Sequence, residues 1–110
     1  MSDCVFCRII AGAIPSKPLF EDEDCIAIHD ISPMAPLHIL IIPKAHIASL
    51  DELEDGEIAA ACLNACKKAA AMLNLDSGYR VVTNIGSHGG QSVAHLHFHV
   101  LGGRQLGGFA

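Results

Sequence analysis

Val93-Ala94-His95-Leu96-His97-Phe98-His99-Val100-Leu101 alternates imidazoles with apolar side chains at a period of two. Read as a β-strand, the stretch places His95, His97 and His99 on one face and Leu96, Phe98 and Val100 on the other. At a rise of roughly 3.3 Å per residue, neighbouring histidines stand about 6–7 Å apart, which leaves room for a phosphate or a metal ion between rings. Just upstream, Asn84-Ile85-Gly86-Ser87-His88-Gly89-Gly90-Gln91-Ser92 is a glycine-rich turn. Such a turn can bring backbone N–H groups against an anion. Gly102-Gly103 ends the strand on the other side. Spacing alone leaves metal binding and phosphate chemistry both open.

Toward the N-terminus, Leu37-His38-Ile39-Leu40-Ile41-Ile42 is the most apolar run and predicts a central strand, closed by Pro43 and followed by His46. Cys25–His29 and Leu19–Glu21 read as two more strands joined by an acidic turn. His29-Asp30-Ile31-Ser32-Pro33 then opens a proline-containing loop, in which Asp30 reads by pattern as the residue that begins a turn. Cys4 to Ile10 predicts a short helix presenting Phe6, Ile9 and Ile10 on one apolar face. Cys4 and Cys7 form a Cys-x-x-Cys, a weak signal alone. No strand precedes it, which disfavours a thioredoxin-like reading, and a zinc site needs two further ligands that the seven histidines can supply.

Beyond His46, Ser49-Leu50-Asp51-Glu52 reads as a capping box opening a helix from Asp51 to about Leu75. Its expected buried stripe is Ile58, Cys62, Ala65, Ala69, Met72 and Leu73. Cys62 and Cys66 read as small core residues. Tyr79 to Asn84 reads as a strand entering the glycine-rich turn.

The order of elements predicts one α+β domain over residues 1–110, with a mostly antiparallel five-stranded sheet, one long helix and one short helix. A formal charge of −5 argues against a nucleic-acid backbone or an anionic membrane surface as partner. No apolar run reaches membrane-spanning length. The N-terminus shows no basic, apolar export signal, and five cysteines, an odd number, read as thiols or metal ligands. The expected compartment is the cytoplasm.

His95-Leu96-His97-Phe98-His99-Val100-Leu101 resembles the histidine-triad (HIT) signature, three histidines alternating with apolar residues. Phe20-Glu21-Asp22, His29 to Pro33, Ile42 to Ile47, Gly78-Tyr79-Arg80, Gly89 to Val93 and Leu101 to Gln105 resemble the histidine-triad nucleotide-binding branch of that superfamily. The resemblance covers nearly the whole chain. It implies a HIT-like fold and a homodimeric hydrolase of purine nucleoside 5′-phosphoramidates, that is, AMP–amine conjugates. Cleavage at the α-phosphate would pass through a covalent nucleotidyl-histidine.

The resemblance also implies roles. His97 matches the nucleophile, His99 the residue contacting phosphate and leaving group, and His46 and His95 supporting positions. Phe6, Ile9, Ile28, His29, Asp30 and Ile31 match the base and sugar pocket, with Asp30 accepting the ribose hydroxyls. Asn84, Gly90, Gln91 and Ser92 match the phosphate loop. Cys4, Cys7, His46 and His95 match a structural zinc set, with no metal required for catalysis. Two other functions stand beside this one: a dinucleoside polyphosphate hydrolase, and a nucleotide-binding or scaffolding module with incidental activity. Ala94 departs from the aromatic residue of animal relatives, and Leu106 to Ala110 lacks their tryptophan-containing tail. In homodimeric relatives that tail reaches toward the other protomer's site, so its divergence leaves the leaving-group preference open. His88 reads as exposed loop.

Overall fold

Leu37–Pro43, the most apolar stretch of the chain, forms the middle strand of the sheet in the computed structural model, β3. The structure describes residues 3–108. Met1-Ser2, read above for an export signal, and Phe109-Ala110, the end of the tail read for its missing tryptophan, lie outside the described residues. Around β3 stand β1 (Pro18–Glu21), β2 (Cys25–His29), β4 (Arg80–Val82) and β5 (Phe98–Gly102), in the order β1-β2-β3-β5-β4. Every pairing is antiparallel. With helices α1 (Val5–Ile10) and α2 (Gly56–Met72), this is the expected α+β architecture.

The period of two divides the buried side chains between the faces of the sheet. Cys25, Ala27, Ile39, Ile41, Leu96, Phe98 and Val100 pack in one cluster with Cys62, Ala65, Cys66 and Ala69 of α2. Ile26, Ile28, Leu40 and Ile42 form a second cluster with Phe6 of α1. Small residues on α2 let the helix lie close on the sheet. Cys62 and Cys66 are core residues as expected, and burial pushes the Cys66 thiol up to about 11, which keeps it protonated.

The long helix differs from its expected span at both ends. Ser49 does cap a helix, but only the 3-10 turn Leu50–Glu52, because Leu53 is extended at φ −80°, ψ 109°. The effective cap is Asp55, whose carboxylate accepts from the N–H groups of Glu57 (2.9 Å) and Ile58 (3.3 Å). At the far end Leu73 is the C-cap and Asn74 turns left-handed at φ 56°. Leu75 N–H then reaches Ala70 O and Asn74 N–H reaches Ala71 O, the paired bonds that close a Schellman end. Met72, expected in the buried stripe, is exposed, and Ala70 and Cys66 are buried instead.

The triad strand is also shorter than read. Its ladder with β3 begins at Phe98↔Ile41, so Val93 to His97 lie outside it. Pro43 has no N–H to extend the ladder, and its carbonyl accepts from the His95 ring instead. The alternation survives without the ladder: Leu96 still faces α2. Among the described residues no helix is long and apolar enough to cross a membrane. Asp55→Ala should lower folding stability by about 1 kcal/mol, read as a shifted midpoint in urea unfolding; an unchanged midpoint would show that the cap contributes nothing.

Candidate active site and metal centre

The three histidines of the triad do not share one environment. His97, buried to 6% exposure, lies edge-on between Phe6 and His99, with ring centroids at 5.0 and 5.1 Å. Its Nδ1 is 2.7 Å from the His95 carbonyl. A carbonyl only accepts, so Nδ1 carries the proton and, in the neutral ring, Nε2 carries the lone pair. The His97 carbonyl in turn accepts from Thr83 Oγ1 at 2.8 Å, which fixes the main chain on its other side.

His99 looks the other way along the same face. Its register partner on β3 is Leu40, which makes His38 its diagonal neighbour. His38 Nε2 lies 2.9 Å from His99 Nδ1, and His38 Nδ1 accepts from Met34 N–H at 3.0 Å. The Met34 donor leaves the proton of neutral His38 on Nε2, where it is donated to His99 Nδ1. His99 therefore carries its own proton on Nε2. Asp30 Oδ2 stands 3.5 Å from His38 Nε2, and Asp30 Oδ1 accepts from Ser32 N–H, the turn role expected for it. Burial holds His38 below its ordinary value. Burial, then the nearby His97 and His38, push His99 from 6.5 down to about 4.

His38 is a site residue that the sequence pattern does not single out. Its signal was available: it shares parity with Leu40 and Ile42 on β3, so it faces the α1 side, the face His99 occupies from β5.

His95 belongs to a second cluster. It is fully buried, and its Nε2–H donates to Pro43 O at 2.8 Å, turning the Nδ1 lone pair toward two sulfurs. Cys4 Sγ and Cys7 Sγ lie 3.3 and 3.5 Å from that atom. His46 Nδ1 lies 3.1 Å from His95 Nδ1 and 3.2 Å from Cys7 Sγ. A tetrahedral zinc with ordinary bond lengths sets S···N edges at about 3.5 Å and N···N edges at about 3.3 Å. These four residues therefore fit a metal ion, in donor type, tautomer and spacing. His46 sits in this cluster, against Cys7 and His95. Asp30, His38 and His99 also gather donor atoms within 4.8 Å. There the fit fails, because a metal on His38 Nε2 needs a proton on Nδ1, and Met34 N–H already points at that nitrogen.

The glycine-rich turn is built from its own hydrogen bonds. Gly89 and Gln91 N–H groups reach Gly86 O, Gly90 N–H reaches Ser87 O, and Gly86 N–H reaches Gln91 Oε1. Gln91 Nε2 donates to Ala48 O and Val93 O, and Asn84 Nδ2 donates to Gly89 O. Gln91 and Asn84 thus shape the turn. Gly90 holds φ +81°, and a Cβ at Gly89 would run into the Ile85 carbonyl. Ser92 and His88 are exposed. In the expected base and sugar pocket, Phe6 and Ile28 are buried and Ile9 packs beside them, whereas His29 and Ile31 stand open to solvent, Ile31 at 99% exposure.

The low His99 value carries a stability consequence. Between pH 6.5 and about 4 the unfolded chain binds a proton at this residue and the folded chain does not. Stability should therefore fall as pH drops through that window, with His38 and His95, shifted the same way, adding to the slope. His99→Asn should flatten the slope in urea unfolding at a series of pH values; an unchanged slope would contradict the neutral, buried ring.

The HIT domain family profile matches residues 11–106 of the chain. An uncharacterized HIT-like protein of Chlamydia trachomatis is 45% identical over 108 residues, covering 96% of this chain and 97% of its own length. A solved HIT family hydrolase from Clostridium thermocellum superposes with a TM-score of 0.95 at 46% identity, covering 99% of this chain and 97% of that one. A histidine triad protein from Clostridium difficile gives 0.94 at 41% identity, covering 100% and 98%. All five strands and α2 fall inside the matched region, and the relatives align over nearly their full length: the chain belongs to the HIT domain family.

Proposed function

We propose that this protein is a hydrolase of purine nucleoside 5′-phosphoramidates, working through a nucleotide carried on His97. The hydrolase name of the Clostridium thermocellum relative supports the reaction class. The observation that carries the finer reading is the 2.7 Å bond from His97 Nδ1 to the His95 carbonyl. It supports an imidazole nucleophile, because it leaves Nε2 unprotonated in the neutral ring.

In this reading His97 Nε2 forms a bond to the α-phosphorus as the phosphorus–nitrogen bond breaks. The departing amine must take up a proton, and His99 is placed to give it. Burial keeps His99 neutral in the free protein, and the negative charge of a bound phosphate favours its imidazolium form. Water then displaces His97 from phosphorus, its proton returns to His99, and a nucleoside 5′-monophosphate leaves. Asp30 receives the ribose hydroxyls, and Phe6, Ile9 and Ile28 offer the base an apolar wall. His29 and Ile31 complete that wall only when the ligand covers them. Ser92 and the glycine-rich turn face the phosphate. Cys4, Cys7, His46 and His95 hold zinc, which when bound supplies a closed structural brace with no catalytic water. Their own contribution is to anchor the His95 carbonyl.

The reading includes a homodimer. Leu63 on α2, with Tyr79 and Val81 at the β4 edge of the sheet, are large apolar side chains left exposed, which supports a two-fold interface there. Light scattering at micromolar concentration should return twice the chain mass; a stable monomer would remove the dimer.

Adenosine 5′-phosphoramidate should turn over faster than a diadenosine polyphosphate, and His97→Ala should lower that turnover by several powers of ten while AMP still binds. Near-normal turnover by His97→Ala would end the covalent reading. Faster cleavage of the diadenosine compound would move the substrate class, and tight binding without turnover of either would make the protein a binding module.

A further inference from the structure

The five cysteines form two populations. Cys25, Cys62 and Cys66 are packed at 2% exposure or less in the core under α2. Cys4 and Cys7 are only half-buried. Cys4 and His46 line an open cavity of about 540 Å³ together with Asp3, Val5, Ser92, Val93 and Ala94. A small oxidant therefore reaches one pair of sulfurs in this chain and not the other three. The same pair is joined by one turn of backbone, with Cys7 N–H 3.4 Å from Cys4 Sγ.

We propose that Cys4 and Cys7 are a reversible redox modification site, oxidised by hydrogen peroxide, and that their oxidation loosens the catalytic nucleophile. One thiolate attacks the peroxide O–O bond, giving a sulfenic acid and hydroxide. The second sulfur attacks the sulfenic sulfur, forming the Cys4–Cys7 disulfide and releasing the second oxygen as water once protonated. Two electrons pass from the two sulfurs to the peroxide.

A disulfide offers no thiolate, so a bound metal ion loses two of its four ligands and leaves. His95 then has no metal on Nδ1 and is held through its Nε2–H bond to Pro43 O and its contacts with Phe6 and His46. Its carbonyl is the acceptor that sets the His97 tautomer, so the nucleophile relaxes with it. The coupling to turnover, though not the oxidation chemistry, rests on the function proposed above.

The test uses tag-free, zinc-loaded wild-type protein titrated with hydrogen peroxide. Peptide mapping, zinc release into a chromogenic chelator and adenosine 5′-phosphoramidate turnover are read on the same samples. The expected result is a Cys4–Cys7 disulfide, an intact mass lower by about 2 Da, and zinc released in step with it. Turnover should fall roughly tenfold or more, and dithiothreitol with added zinc should restore it. Oxidation appearing first at Cys25, Cys62 or Cys66, or zinc retained by the disulfide form, would overturn the site. Unchanged turnover after complete zinc release would overturn the coupling. A protein that forms the disulfide and releases zinc, yet never cleaves the phosphoramidate, supports the modification site and refutes the proposed function instead.

Discussion

The hydrogen bond from His97 Nδ1 to the His95 carbonyl is the constraint on which the site depends. It makes one residue both an anchor and an orienting group. The side chain of His95 is fixed by Pro43 O on one nitrogen and faces Cys4, Cys7 and His46 with the other. Its main chain then decides which nitrogen of His97 is available. Elements far apart in sequence meet at that point: α1 supplies Cys7 and Phe6, the end of β3 supplies Pro43, and the loop beyond it supplies His46. An acceptor displaced from this position frees the His97 ring to turn, and nucleophilic geometry is sensitive to such shifts.

A second tautomer chain runs in parallel. Met34 N–H, His38 and His99 are linked so that each proton has one place to be, and the donor of His99 is left on Nε2. The two chains run in opposite directions along one face of the sheet and meet where the His97 and His99 rings touch. His97 draws on the chain segment before β5, and His99 on its diagonal neighbour in β3. Both rings lie on the α1 side, while Leu96, Phe98 and Val100 secure the same segment against α2. The apolar half of the alternation thus positions the polar half, and the site requires both faces of the sheet to be packed.

Much of this was legible in the sequence because it rests on strict period-two patterns. The alternation from His95 to Val100 and the apolar run at Leu37–Pro43 dictate which side chains go inward whatever the exact ladder, and the short helix at Cys4 to Ile10 followed from its apolar spacing. What failed were choices between equally plausible local signals. Ser49 and Asp55 both suit an N-cap, and only the extended backbone at Leu53 separates them. The strand appeared to begin at Val93, because nothing local shows that the Pro43 carbonyl is taken by a side chain 52 residues away. His38 gets its meaning from pairing with β5, which the sequence of β3 alone does not carry. By resemblance Asn84 matches a phosphate contact and Gln91 belongs to the same loop; that their amides also build the turn is set by contacts with Gly89, Ala48 and Val93 that no local pattern shows. Contacts between distant segments are what a linear pattern carries least well.

The central claim is a statement about one proton, and it can be measured directly. Nitrogen-15 NMR of the His97 imidazole, assigned by comparison with His97→Gln, reports which ring nitrogen is protonated in the neutral form. The account predicts a proton on Nδ1 and an unprotonated Nε2 at pH 7.5 in the reduced, zinc-loaded protein. A neutral His97 ring protonated on Nε2 would contradict it, because the lone pair would then face the His95 carbonyl and not a phosphorus atom.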